Sequence, residues 1–189
     1  GDVYKRQGHK MKFGLLGAGR IGQIHGHNVA CMNGVTLAAV TDAMPGAAQK
    51  LAAETGAKAM TVSSILSDPT IDAVLICTPT DTHADLIEKA MDAGKAVFCE
   101  KPVDLSSERI VACLSHIKKA NKPLMIGFNR RFDPNFAGLK SRLDTGLAGS
   151  IELVSIISRD PNPPPVDYVS RSGGLFRDMM IHDLDMARF

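Results

Sequence analysis

The sequence predicts an α/β chain: a doubly wound parallel sheet followed by the start of an incomplete α+β second domain. Three observations predict it. Strand-length apolar runs alternate with helical patterns between residues 11 and 123. The run Phe13-Gly14-Leu15-Leu16-Gly17-Ala18-Gly19-Arg20-Ile21-Gly22 puts a glycine-rich turn between the first strand and the first helix. After Asn129 the alternation gives way to a different pattern.

The elements follow in order. Strands are expected at 12–16, 36–41, 58–60, 73–77, 96–99 and 124–128, because these short apolar runs are bounded by turn residues. Helices are expected at 21–31, 47–54, 63–66, 82–93 and 106–121, the last with Ile110, Leu114 and Ile117 at helical spacing. Gly94 sits where a helix should stop. Beyond Asn129, Pro134 suits the opening of a helix over 133–144, and the β-branched run 151–158 reads as a strand. Pro161-Asn162-Pro163-Pro164-Pro165 then forbids regular structure before a final helix from Leu175.

The motif explains its own glycines. Gly17 allows the tight turn, Gly19 lets backbone N–H groups approach a pyrophosphate, and Gly22 lets helix and strand pack closely. The helix N-terminus adds partial positive charge, so Arg20 and Ile21 join the cofactor-binding set. Asp42 lies about 20 residues beyond the last glycine, at the end of the second strand, where a carboxylate holds both ribose hydroxyls and repels a 2′-phosphate. The expectation is a Rossmann-type domain that binds NAD in preference to NADP.

Composition narrows the field further. The chain has 189 residues, 44% of them hydrophobic, and a net charge of +2, which gives no reason to invoke nucleic acid or an anionic membrane surface. No apolar stretch is long enough for a bilayer and no secretory leader is visible, so a cytoplasmic location is expected. Cys31, Cys77, Cys99 and Cys113 show no C-x-x-C pairing and read as buried reduced thiols. The polar residues 1–10 read as a leader foreign to the fold. A cofactor-binding domain is then expected over 11–128 and the first part of a substrate and oligomerisation domain over 129–189. The chain stops inside an amphipathic helix, so a C-terminally incomplete polypeptide is expected.

Two further patterns bear on chemistry. Lys101 follows a strand whose carboxyl end should face the cofactor crevice, where an ammonium can stabilise a developing alkoxide. Asp178 and His182, four apart on one helix, can act as a proton-transfer pair. Asp185 would complete a possible metal set with them, yet no further ligand cluster supports it and no metal is expected.

Several segments together carry a family resemblance. The glycine turn, Cys77-Thr78-Pro79-Thr80-Asp81-Thr82-His83, Cys99-Glu100-Lys101-Pro102, Gly127-Phe128-Asn129-Arg130-Arg131-Phe132-Asp133-Pro134 and the stretch from Arg177 through His182 to Phe189 resemble the Gfo/Idh/MocA oxidoreductases over residues 11–189. The resemblance implies NAD-linked oxidation of a ring hydroxyl of myo-inositol to the inosose ketone. It implies Lys101, Asp178 and His182 as catalytic residues that also meet the substrate. It sets Thr78, Pro79 and Thr80 against the nicotinamide, with His83, Glu100 and Lys101 nearby. Asn129, Arg130 and Asp160 are candidates for reading a polyol, although Arg130-Arg131 also reads as a surface basic pair and Asp160 as a turn residue. His83 reads equally as a histidine at the surface. A homotetramer is the usual family assembly. The competing readings are another polyol or sugar dehydrogenase, a non-enzymatic NAD-binding regulator and, for the chain as given, a fragment expected to hold NAD weakly and be inactive alone.

Overall fold

A computed structural model describes residues 10–160, 162–164, 166–169 and 172–189. Residues 1–9 of the expected leader, and Pro161 and Pro165 of the proline run, lie outside the described residues. The chain divides after Ile126 into two units.

In the first unit six strands form one parallel sheet. They are β1 (Met11–Leu16), β2 (Val35–Thr41), β3 (Lys58–Ala59), β4 (Ala73–Ile76), β5 (Ala96–Cys99) and β6 (Leu124–Ile126). Their spatial order is β3-β2-β1-β4-β5-β6. The winding therefore reverses between β1 and β4, which opens a crevice at the carboxyl edge there.

Five helices cover the sheet: α1 (Arg20–Cys31), α2 (Pro45–Thr55), α3 (Val62–Ser67), α4 (His83–Asp92) and α5 (Ser107–Ala120). The two-residue period of a strand sends neighbours to opposite faces. Leu15, Val40 and Leu75 pack with Val29 of α1 and with Ala48 and Leu51 of α2. Leu16, Val74 and Ile76 pack with Ile65 of α3, Ile87 of α4 and Cys113 of α5. Each fully buried Leu or Ile contributes about 1.5–3 kcal/mol relative to exposure. Local sequence sets the helix ends. Ser106 accepts the Arg109 N–H at the start of α5, and Asn121 closes that helix in the left-handed conformation at φ 51°. The helix expected from residue 82 starts one residue later, behind a short 3-10 turn at Thr80–Thr82.

The second unit contains a 3-10 turn at Asn129–Phe132 and helices α6 (Pro134–Asp144), α7 (Val166–Val169), α8 (Gly174–Asp178) and α9 (Met180–Arg188). Pro134 does open α6, with Asp133 accepting backbone N–H groups from Asn135 and Phe136. Two expectations fail here. Residues 151–158 form no strand, and Leu153 and Ile157 stand 87% and 79% exposed. A β-branched run needs a neighbour to close its backbone hydrogen bonds, and among the described residues none pairs with it. The final helix is also broken at Met179 (φ −102°, ψ −56°). Asp178 thus ends α8 and His182 lies within α9. Among the described residues no helix is long and apolar enough to cross a membrane.

Candidate functional site

The glycine turn sits where the sheet reverses. Gly17 has φ +100°, and a Cβ there would lie 2.5 Å from the Cys77 carbonyl oxygen. A Cβ at Gly22 would lie 2.0 Å from the Gly17 carbonyl oxygen. The fold itself therefore demands these two glycines. Gly19 differs: it has ordinary φ of −70°, and nothing lies within 4 Å of where its Cβ would be. The space in front of it is open, and α1 begins there without a side-chain cap and without an acidic residue in its first turn. Arg20 and Ile21 are exposed beside it. Uncapped N–H groups and a bare Cα facing open space suit a pyrophosphate.

Asp42 occupies the end of β2 as expected, and it does more than the sequence suggested. Its Oδ2 accepts the Ala18 N–H at 2.7 Å and its Oδ1 accepts the Met44 N–H at 2.8 Å. Gly17 N–H also donates to the Thr41 carbonyl at 2.8 Å. The carboxylate is thereby a strut of the turn, while each oxygen keeps a second lone pair for a hydroxyl donor.

The loops after β4 and β5 share the same carboxyl edge. Thr78 and Thr82 join through their hydroxyls at 2.6 Å, and the Thr82 hydroxyl donates to the Pro79 carbonyl at 2.7 Å. His83 is 1% exposed. Its Nδ1 lies 2.7 Å from the Pro102 carbonyl oxygen and its Nε2 2.8 Å from that of Thr78. It is not a surface histidine, and both ring nitrogens face backbone carbonyls. Lys101 is half-buried and precedes Pro102 across a cis peptide bond. Glu100 receives His25 of α1, with Nε2 to Oε1 at 2.6 Å, and the His25 ring meets Phe98 edge-on at 5.0 Å. Sequence reasoning missed His25. The available signal was its place three residues after Gly22, on the same face of α1 as a glycine packed on the sheet.

Burial raises the Cys77 thiol to about 12, with help from the Glu100 carboxylate. Burial also pushes Cys99 upward, with help from Cys77 and Glu100. The thiols under the turn are protonated spacers rather than nucleophiles.

In the second unit Asp160 and Asp178 line one cleft of about 390 Å³ together with Asn162, Pro163, Pro164 and Met179. His182 is half-buried, with Nδ1 shielded from solvent. Asn129 is exposed in the 3-10 turn. Arg130 is drawn elsewhere: its guanidinium donates to Asp183 and, at 3.0 Å, to the Ser158 hydroxyl. Arg131 makes two bonds to Asp185, at 2.5 and 2.8 Å, which hold its guanidinium above its ordinary pKa. The basic pair thus anchors the helix that carries His182, and Asp185 is engaged by an arginine.

Residues 11–128 match the oxidoreductase family with an NAD-binding Rossmann fold, Gfo/Idh/MocA. The chain belongs to this family. Membership gives NAD as the cofactor of the first unit, in agreement with the open face at Gly19. Among Gfo/Idh/MocA relatives, the inositol 2-dehydrogenase of Rhizobium meliloti (strain 1021) is 55% identical over 95% of this chain and 54% of the relative. A myo-inositol dehydrogenase structure from Corynebacterium glutamicum ATCC 13032 matches with TM-score 0.89 and 44% identity, covering 95% of this chain and 54% of that one. A scyllo-inositol dehydrogenase from Lactobacillus casei, solved with NAD(H) and scyllo-inositol, matches with TM-score 0.87 and 36% identity over 95% and 55%. The chain spans about half the length of these Gfo/Idh/MocA proteins.

Proposed function

We propose that this chain carries the cofactor site and the catalytic residues of an NAD-dependent dehydrogenase that oxidises a ring hydroxyl of myo-inositol to a ketone. The observation that carries the reading is the crevice edge of the first unit. One edge of one sheet holds a glycine turn open at Gly19, Asp42 and the Lys101 loop, which is what a dehydrogenase needs beside its cofactor. Relatives named as inositol dehydrogenases support the substrate class.

When bound, NAD supplies the hydride acceptor. The chain's own residues do the rest. Gly19 and the N–H groups opening α1 hold the pyrophosphate, and Asp42 accepts from the ribose hydroxyls. Neutral His182 takes the proton of the substrate hydroxyl, and Asp178 orients the imidazole and stabilises the imidazolium. The Lys101 ammonium stabilises the oxyanion left as that proton departs, before the carbinol carbon gives up hydride and the C=O bond forms. Asp160, beside Asp178 in the cleft of the second unit, accepts from further hydroxyls of the polyol, with Asn129 as a second polar contact. Arg130 serves this site through Asp183. The cofactor-binding domain is proposed over 11–128 and the substrate domain from 129 onward, in a cytoplasmic homotetramer.

The test is NAD reduction, followed at the reduced-nicotinamide absorbance band, with myo-inositol, scyllo-inositol and a panel of sugars. It is run on this chain and on a version extended to the length of its relatives. Turnover best with myo-inositol is the expected result. Turnover best with another sugar keeps the mechanism and changes the substrate. NAD binding without turnover by either chain would replace the enzyme with an NAD-dependent regulator.

A further inference from the structure

We propose that His83 is a positioning residue: it sets the spacing of the two loops that flank the nicotinamide half of the cofactor, without touching the cofactor itself. The inference rests on the NAD reading of the crevice.

His83 opens α4, and its ring is buried between two chain segments. Thr78 lies just past β4 and Pro102 just past β5, strands that pair directly with Ile76 opposite Cys99. The imidazole stands between their carbonyl oxygens, one at each ring nitrogen, at 2.7 and 2.8 Å. A neutral ring donates to one of them and an imidazolium to both. Because the ring is rigid, the two contacts together fix how far apart the loops stand. Both nitrogens are occupied in this way, so none remains for a ligand. What the ring controls are its neighbours in sequence: Thr78 leads into Pro79 and Thr80, and Pro102 follows Lys101.

The other half of the crevice has hydrogen bonds of its own, although Gly17 packs against Cys77 and Thr78. The glycine turn is held by Asp42 through Ala18 and by Thr41 through Gly17, and none of these bonds involves His83. Loss of the imidazole should therefore be felt chiefly on the nicotinamide side. At least one of the two carbonyls would lose its donor, and the loops would relax to find another.

The experiment compares equilibrium binding of NAD with that of ADP-ribose, which keeps the pyrophosphate and the adenosine but lacks nicotinamide. Wild-type chain, His83→Phe and His83→Gln are measured, with thermal melts alongside. NAD should bind the wild-type chain more tightly than ADP-ribose does. His83→Phe should weaken NAD by roughly 10-fold, the scale of one lost buried hydrogen bond, while ADP-ribose changes by less than about 2-fold. His83→Gln keeps one donor and should recover part of the loss; it also carries the comparison if the Phe variant fails to fold. Equal losses for both ligands would make His83 an ordinary core residue, and no loss for either would remove its role; both results overturn the proposal. A wild-type chain that binds the two ligands equally also overturns it. A wild-type chain that binds neither overturns the NAD reading itself, whatever the variants do.

Discussion

Asp42 and Ala18 are joined, carboxylate Oδ2 to backbone N–H at 2.7 Å, so the acidic residue expected to select the cofactor also braces the turn that receives it. The two roles separate by substitution. Asp42→Asn keeps one oxygen acceptor but loses the charge, and Asp42→Ala loses both. Each should raise NADP binding relative to NAD, because the repulsion of a 2′-phosphate is gone. Asp42→Ala should in addition cost about 1–3 kcal/mol of stability, chiefly from the abandoned Ala18 N–H, since the Met44 N–H is exposed to water. Paired NAD and NADP titrations with thermal melts decide it, and an unchanged cofactor ratio would remove the ribose role.

The three glycines of the turn should separate in the same way. Gly17→Ala and Gly22→Ala drive a Cβ into backbone carbonyls at 2.5 and 2.0 Å, and should cost about 2–4 kcal/mol. Gly19→Ala meets nothing in the protein and should melt as the wild type does. It should nonetheless weaken NAD at least about tenfold, since the methyl group occupies ligand space. A Gly19→Ala chain that binds NAD normally would move the pyrophosphate off this turn.

Lys101→Ala in a catalytically active chain should lower kcat far more than it weakens NAD binding, because the ammonium is asked to act on the oxyanion of the transition state. A loss in kcat matched by an equal loss in NAD affinity would recast Lys101 as a binding residue.

Arg131 and Asp185 give a prediction for the second unit. The Asp185 side chain is 9% exposed and that of Arg131 40% exposed. Arg131→Leu would leave a nearly buried carboxylate without its fork, whereas Arg131→Lys keeps the charge and loses one of the two bonds. Solvent on the arginine side keeps the Lys cost to about 1 kcal/mol, with more for Leu. Hydrogen exchange of the α9 amides reads it directly, and unchanged protection in Arg131→Leu would show that the pair does not hold the helix.

Alkaline pH should destabilise the first unit. Cys77 is raised from 9.0 to about 12, chiefly by burial and then by Glu100, and burial raises Cys99 and Cys113 as well. A group whose folded pKa lies above its unfolded value contributes stability below pH 9 and loses it as pH rises from there toward 12. Melting temperature should fall across that window, and less steeply in Cys77→Ala. Exposed Cys31 should alkylate first in the native chain at mild alkaline pH, ahead of the three buried thiols.

Much of the fold was legible because the first unit obeys local rules. Leu15 and Leu16 go to opposite faces as a strand period demands, and the glycine turn ends β1 where its spacing requires. What escaped depended on partners far away in sequence. The run containing Leu153 and Ile157 has strand propensity but no strand beside it among the described residues. Asp178 and His182 have helical spacing, yet Met179 breaks the helix between them. Arg130 read as either a substrate contact or a surface basic residue, and its partner Asp183 lies 53 residues later. His83 was ambiguous for the same reason: its acceptors are 5 and 19 residues away, and only the folded loops bring them together.

The open face at Gly19 has a consequence for how such a chain can change over generations. A glycine codon becomes an alanine codon by one base change. The substitution least costly to folding in the turn is thus the one proposed to remove cofactor recognition, and selection acting on solubility alone would not notice it. A lineage in which this protein became an inert scaffold could begin at residue 19, with Gly17 and Gly22 kept for reasons that have nothing to do with NAD.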